Sequence, residues 1–267
     1  MFWKKEEAML IVAENINIRR TKLGNAMKER NAKPIIELAK SLKDAGADYL
    51  DINIGPATKG GPELMKWLVT SIQEEVDALL CLDTKNLEAM RAGLEVHKGK
   101  AIINSTDGSE KQLNEVMPMA KEFNTSIIGL TLDESGIPRD ANERFQIAFN
   151  IMTKATEYGI SPEDLYIDPI ILPVSGMQDQ VNYAIESIKM FNQLSDPSPK
   201  TIVGLSNISQ SSPIELRSIL NRICLTMLLC NGLSAAITDP LDKELTATLK
   251  TYDILTNKVL YAHSYLD

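Results

Sequence analysis

The sequence predicts an α/β protein of the (β/α)8 barrel class, one domain spanning residues 1–267. Three observations carry this expectation. Eight short apolar runs alternate with longer stretches of helical period. Each run is nearly continuously apolar, as suits parallel strands covered on both faces. No linker divides the chain, because Ser195 to Lys200, with Pro197 and Pro199, reads only as a stiff loop before the seventh run. Eight βα units of this spacing close into a barrel, and an open doubly wound sheet is the competing topology.

In chain order the strand-like runs are Met9–Ala13, Tyr49–Ile54, Leu79–Leu82, Ala101–Ile103, Ser126–Leu132, Leu165–Ile167, Thr201–Leu205 and Ser234–Ile237. The helices between them have legible ends. Pro34 suits a first helical turn, Ile35, Leu38, Ala39, Leu42 and Ala45 form one face, and Gly46 supplies the left-handed stop. Pro62 opens the next helix after Gly60 and Gly61. Phe145, Ala148, Phe149, Met152 and Ala155 make a stripe closed by Gly159, and Val181, Ala184, Ile185, Ile188 and Phe191 make another. Ile223, Met227 and Cys230 end a further helix before Gly232. All these stripes are expected in the core.

Composition narrows the function. A hydrophobic share of 44% and a charged share of 24% exclude disorder. A net charge of −8 argues against a nucleic-acid or anionic-membrane partner, which would need basic clusters. No apolar run approaches the roughly 18 residues that cross a bilayer. Met9–Ala13 is too short for a signal-peptide core, so a reducing cytoplasm is expected. Cys81, Cys224 and Cys230 have no metal-ligand spacing and read as small buried apolar groups. The two histidines, His97 and His263, read as solvated surface residues, and no bound metal is expected.

The strand ends carry the most information. The first run leads into Glu14, Asn15 and Asn17; the second carries Asp51 and Asn53 before Gly55-Pro56; the third ends at Asp83. Asn104 comes directly after the fourth, Asp168-Pro169 after the sixth, Ser206-Asn207 after the seventh and Asp239 after the eighth. In a parallel barrel these ends share one rim, where barrel active sites lie. Taken singly, each residue also reads as a helix cap or turn former. Together they gather carboxylates and carboxamides at one mouth. No Arg or Lys stands beside Asp168 in the chain, and a buried carboxylate without a cation needs hydrogen-bond donors. A pterin supplies them. Its 2-amino group and N3–H form a two-donor edge for a carboxylate, and its other ring atoms suit Asn. A purine or a sugar is also compatible with these residue types.

Glu14-Asn15-Ile16-Asn17, Asp51-Ile52-Asn53-Ile54-Gly55-Pro56, Leu82-Asp83-Thr84, Ile103-Asn104-Ser105-Thr106, Tyr166-Ile167-Asp168-Pro169 and Gly204-Leu205-Ser206-Asn207-Ile208-Ser209 together resemble the pterin-binding methyltransferases. Within these the similarity is to the methyltetrahydrofolate:corrinoid protein methyltransferase family, from about Met9 to Tyr261. The resemblance implies a (β/α)8 barrel, a homodimer, and methyl transfer between N5 of tetrahydrofolate and the cobalt of a corrinoid on a partner protein. It implies that Asp83, Asn104 and Asp168 hold the pterin, with Asp168 on the amino/N3 edge. It places Asn207 near N5 as the catalytic residue, with Gly204, Ser206 and Gln210 lining the pocket. Glu14, Asn17, Asp51 and Asn53 are further rim candidates. One departure stands out: the family carries Arg after the first-strand Glu, and here that position is Asn15.

The chain has no Asp-x-His-x-x-Gly signature for a corrinoid's lower ligand, so the corrinoid (cobalamin) is expected on another protein. Tetrahydrofolate or 5-methyltetrahydrofolate is expected as substrate, with the direction of transfer open. Dihydropteroate synthase shares the pterin pocket but needs a Lys after the seventh strand, where this chain has Ser206-Asn207. A folate-binding protein without turnover is a third reading. Glycoside hydrolysis is disfavoured by the Asn-rich rim and a 5% aromatic content.

Overall fold

The computed structural model describes residues 8–57 and 59–262. Eight parallel strands close in chain order: β1 (Leu10–Asn17), β2 (Tyr49–Asn53), β3 (Leu79–Asp83), β4 (Ile102–Asp107), β5 (Ser126–Leu130), β6 (Leu165–Asp168), β7 (Lys200–Gly204) and β8 (Ala235–Thr238). Leu10 to Ala13 of β1 pair with Ala235 to Thr238 of β8, which closes the barrel and removes both sheet edges. The open-sheet alternative is excluded.

The helices are α1 (Thr21–Lys28), α2 (Lys33–Asp44), α3 (Gly61–Glu75), α4 (Leu87–Leu94), α5 (Glu110–Glu122), α6 (Ala141–Glu157), the short α7 (Val174–Met177), α8 (Gln180–Phe191), α9 (Ile214–Leu229) and α10 (Lys243–Leu255). Their ends obey local chemistry. Pro34 lies in the first turn of α2, and Gly46, at φ +93°, turns the chain after it. The Asp140 side chain accepts from Glu143 N at 2.9 Å to cap α6, and Asp242 caps α10 in the same way.

Alternation sorts the strands into two cores. Val12, Tyr49, Cys81, Ile102, Ile128, Tyr166, Ile202 and Ala235 pack inside the barrel as an apolar floor. Ala13, Ile16, Leu50, Ile52, Leu80, Leu82, Ile103, Ile127 and Ile167 face outward, where α2 to α6 cover them. Around β7 and β8 a second outer cluster joins Val203, Ala236, Ile188, Leu225 and Leu228.

Several details differ from the sequence expectation. β1 continues past Ala13 to Asn17, and its register with β2 slips between Ala13 and Ile16. This bulge places outward Ala13 and Ile16 three residues apart, so Glu14 and Asn17 both face inward. β4 continues to Asp107, while β5 stops at Leu130, after which Thr131 donates from Oγ1 to the β6 backbone at Asp168 O. His97 is not a solvated surface residue. It is partly buried at the floor end, where its Nε2 accepts from Leu80 N at 3.1 Å and burial lowers its pKa. His263 lies outside the described residues.

The stripe Ile223, Met227 and Cys230 is also not core. α9 turns Cys224, Leu225, Leu228 and Leu229 inward, leaving Ile223 55% and Met227 42% exposed and Cys230 exposed. Helical period identifies a stripe without saying which of two apolar faces the barrel covers. Phe149 on α6 is likewise 44% exposed. Cys81 and Cys224 are buried as expected. Among the described residues no helix is long and apolar enough to cross a membrane.

Candidate active site

The inward residues immediately above the apolar floor are polar. Strand register sets three of them in a row, with Asn53 beside Asp83 and Asp83 beside Asn104. Asn53 Nδ2 donates to Asp83 Oδ2, and Asn53 Oδ1 accepts from Gly55 N at 3.0 Å. One layer down, Asn104 Nδ2 donates to Asp51 Oδ1 at 3.1 Å, and the Cys81 thiol also bonds Asp51. Burial pushes Asp51 well above the usual carboxylate range, and the charge of Asp83 adds to the rise. Burial lifts Asp83 to about 6, opposed by Arg19, by the Asn53 amide and by Lys85.

Asp168 stands across the mouth at the end of β6 and is 6% exposed. Its Oδ1 accepts from Ile170 N at 2.7 Å, and Gly204 N also donates to the carboxylate. Burial lifts its pKa to about 7 despite these donors and the charge of Arg144. Glu14 is raised by burial as well, with Ser206 Oγ donating to Oε1 at 2.6 Å and pulling the other way. Ser206 and Asn207 lie on the single 3-10 turn Leu205–Ser209 that continues β7. A Cβ on Gly204 would lie 3.0 Å from Asn207 Nδ2, so the bare Cα leaves room for that amide. Asn207 itself is exposed to the mouth, as is Gln210, whose backbone N donates to Asn207 O at 3.1 Å.

The structure thus brings Asp51, Asn53, Asp83 and Asn104 together as two adjacent hydrogen-bonded pairs, Asn53 with Asp83 and Asn104 with Asp51, and places Asn207 against Gly204, whose N–H donates to Asp168. Ser206 joins Glu14 between them. Asn17 is spent locally, its Oδ1 accepting from Arg19 N at 2.9 Å in a turn at the rim. Asn15 sits in the β1 bulge at 1% exposure, and its Oδ1 has no hydrogen-bond partner among the described residues.

Sequence reasoning missed Arg144. The cation absent from the neighbourhood of Asp168 in the chain arrives from α6. Arg144 is fully buried, donating from Nε to Pro169 O at 2.7 Å, from Nη1 to Asp140 O at 3.2 Å and from Nη2 to Gln180 Oε1 at 2.9 Å. It anchors the residue after Asp168 and places a positive charge behind it. The signal was there: Arg144 stands in helical register with the buried Ala141, Ala148, Ile151 and Ala155. Thr131 adds a second anchor, donating from both N and Oγ1 to Asp168 O, at 3.0 and 2.9 Å.

Chemically, this is a pocket of uncharged amides and of carboxyls that burial pushes toward their neutral form. It suits a planar ligand offering a donor edge. Among the described residues no three His, Cys, Asp or Glu side chains converge to hold a metal ion.

Comparison with known proteins supplies an independent finding. Residues 14–239 match the family described as pterin binding enzyme. The chain is 25% identical over 250 residues to the methylcorrinoid:tetrahydrofolate methyltransferase of Eubacterium limosum, covering 92% of this chain and 91% of that protein. It is 27% identical over 243 residues to methionine synthase of Mycobacterium tuberculosis, covering 87% of this chain but 20% of that longer protein. In fold it is similar to dihydropteroate synthase of Xanthomonas albilineans solved with 4-aminobenzoic acid, at TM-score 0.72 and 15% identity over 97% of this chain and 95% of that one. The Yersinia pestis synthase with a pterine-sulfa conjugate gives 0.71 at 14% identity, covering 95% of each chain.

Proposed function

This chain belongs to the pterin-binding enzyme family, and from that premise we propose that it moves a methyl group between N5 of tetrahydrofolate and the cobalt of a corrinoid on a partner protein. Asp168 accepts the 2-amino and N3–H donors of the pterin, and Asp83 and Asn104 hold the ring from the opposite wall. Asn207 faces N5, and Gly204, Ser206 and Gln210 complete that side.

One observation carries this reading. Gly204 donates its N–H to Asp168 and, lacking a side chain, leaves room for Asn207 Nδ2. The proposed acceptor for the ring's donor edge and the proposed amide for its far side therefore both lie against Gly204. Dihydropteroate synthesis would instead need a cation after β7 for a pyrophosphate leaving group, and Leu205–Pro213 has none.

In the transfer the N5–methyl bond breaks with its electron pair returning to nitrogen, which takes up one proton from solvent to become N5–H, while cobalt(I) supplies the pair for the new cobalt–carbon bond; the reverse transfer releases that proton. A tertiary amine is a poor leaving group. The Asn207 amide eases the step by donating to N5 as density returns there, and such a bond accelerates only if it strengthens toward the transition state. The reverse transfer from methylcobalt(III) passes through the same transition state, so the site serves both directions. This enzyme acts in the cytoplasm as a homodimer, for which the exposed Leu216, Ile219, Ile223 and Met227 along α9 offer an apolar face.

Mixing the protein with cobalt(I) cobalamin and 5-methyltetrahydrofolate is expected to give the methylcobalamin spectrum, and methylcobalamin with tetrahydrofolate the reverse. No exchange in either direction, with folate bound, would leave a binding protein. Asn207→Ala should lower the rate at saturating folate roughly 100-fold, as for loss of one transition-state donor. A change in folate affinity alone would remove Asn207 from the chemistry.

A further inference from the structure

Arg144 is a buried cation whose hydrogen bonds go to neutral groups. Its acceptors are Pro169 O, Asp140 O and the Gln180 side-chain amide, and no ion pair among the described residues includes it. Burial pulls its pKa down, and Asp140, Glu143 and Asp168 oppose that through their fields. A buried guanidinium that bonds no carboxylate is costly. An apolar residue, like its stripe neighbours Ala141, Ala148 and Ile151, would fill that face of α6 without the cost. What the cation holds lies at the barrel mouth. Asp140 ends the loop after β5, Pro169 follows Asp168, and Gln180 opens α8 and returns its Nε2 to Arg139 O at 3.2 Å. Just beyond, Ile170 has φ +66°, an unfavourable shape for a β-branched residue. In that turn Ile170 N reaches back to Asp168 Oδ1 at 2.7 Å.

We propose that Arg144 is a positioning residue for the pterin: through the Pro169–Ile170 peptide it fixes the Asp168 carboxyl in the orientation that meets the ring's donor edge. The inference rests on the proposed folate site. Pro169 O and Ile170 N belong to one peptide unit, which is planar and trans, so its C=O and N–H point opposite ways. Arg144 holds the oxygen end of that unit, and Asp168 accepts from the N–H end. Cation, peptide and carboxylate thus form a short chain of hydrogen bonds in which each bond polarises the next. Thr131 pins the main-chain carbonyl of Asp168 but leaves its side chain to the N–H groups of Ile170 and Gly204. Without the guanidinium, rotation of the peptide would relieve Ile170, withdraw its N–H from Oδ1 and let the carboxyl turn away from the mouth.

Calorimetry with 5-methyltetrahydrofolate tests this in Arg144→Met, where an apolar chain fills the place and removes the charge with its hydrogen bonds. Affinity should fall about 10- to 100-fold, the range for loss of a hydrogen bond to a charged group. At pH 8 binding should release several-fold more proton than in the parent, because Asp168 without its Ile170 donor and nearby cation stays protonated to higher pH. Ile202→Ala, which destabilises the barrel from the floor, should move neither reading, and this separates positioning from lost stability. In the Asp168→Asn background, Arg144→Met should cost less than about threefold more, since its effect passes through the carboxyl. Costs that multiply, or a proton count equal to the parent's, would overturn the proposal. If Arg144→Met does not fold, Gln180→Leu, which removes the Nη2 partner, takes its place: affinity should drop a few-fold in the parent and not in Asp168→Asn, and equal drops would overturn the proposal. Failure of the parent to bind the folate would overturn the folate site and this role with it. Equal affinity in the parent and Arg144→Met would overturn the role alone.

Discussion

Tyr166 and Asp168 stand two residues apart on β6, both facing the barrel axis and both nearly inaccessible. Tyr166 belongs to an apolar floor, and Asp168 to a ring of buried acids and amides. One alternation of the strand separates the part of the interior that stabilises the barrel from the part that destabilises it. The floor gains by removing apolar surface from water. The mouth forgoes that gain and holds carboxyls that would be more stable charged in solvent. Such a cost persists where a ligand supplies the missing donors.

The largest effect expected from this contrast is at Asp168. Asp168→Asn keeps the shape but removes the charge of the proposed acceptor for the pterin edge, and should weaken folate binding about 1,000-fold, near 4 kcal/mol. The same substitution should raise the urea midpoint of the folate-free protein at pH 8, because the removed carboxylate is ionised there and burial opposes its ionisation. Binding lost together with stability would mean that Asp168 holds the fold together, and the contrast would break.

On the floor the signs reverse. Ile202 is fully buried inside the barrel, and Ile202→Ala should cost about 2–5 kcal/mol in urea unfolding. Folate Kd, measured well below the unfolding transition, should stay within about twofold of the parent, since the cavity forms beneath the polar layer and not in it.

The pH dependence should be next in size. Asp168 is raised to about 7 and Asp83 to about 6, each from 3.8. Between those limits the folded state binds protons more tightly than the unfolded chain, so stability falls as pH rises through the window. For Asp168 the loss from pH 5 to pH 8 is about 2–3 kcal/mol. Urea midpoints across this range should decline in the parent and decline less in Asp168→Asn. In the proposed binding mode a two-donor edge favours the ionised carboxyl of Asp168, so folate binding at pH 6 should release close to one proton, read by calorimetry in buffers of different ionisation enthalpy. Proton uptake instead would place a neutral Asp168 against the ligand.

The barrel was legible because strand and helix periods are local properties of the chain, and the rim because Asp83, Asn104 and Asp168 directly succeed apolar runs. The features that escaped depended on long-range packing. Arg144 reads as an ordinary helix cation until α6 seats it behind β6, and His97 reads as solvated until Leu80 N donates to it. The α9 stripe failed for a related reason: a helix apolar on two sides does not announce which side the barrel takes. Asn207 was singled out through its motif, but its placement over Gly204 arises from the 3-10 turn after β7, which leaves no mark in hydrophobic period.

The smallest test compares two hydroxyls. Ser206 Oγ donates to the largely buried Glu14 carboxylate, whereas Ser187 Oγ, on α8, donates to Tyr183 O at 2.7 Å. Each removal should cost about 1 kcal/mol at pH 8. Their pH dependence should differ, because only Ser206 faces a group that titrates. Its bond lowers the Glu14 pKa against the rise caused by burial. In Ser206→Ala the folded-state pKa therefore climbs further, and the added cost appears only above it, where Glu14 must ionise without its donor. At pH 4, with Glu14 mostly protonated in both states, that cost should largely vanish, while Ser187→Ala should cost the same at either pH. Equal costs for Ser206→Ala at pH 4 and pH 8 would uncouple the hydroxyl from the carboxylate and remove Glu14 from the ionising ring of the mouth.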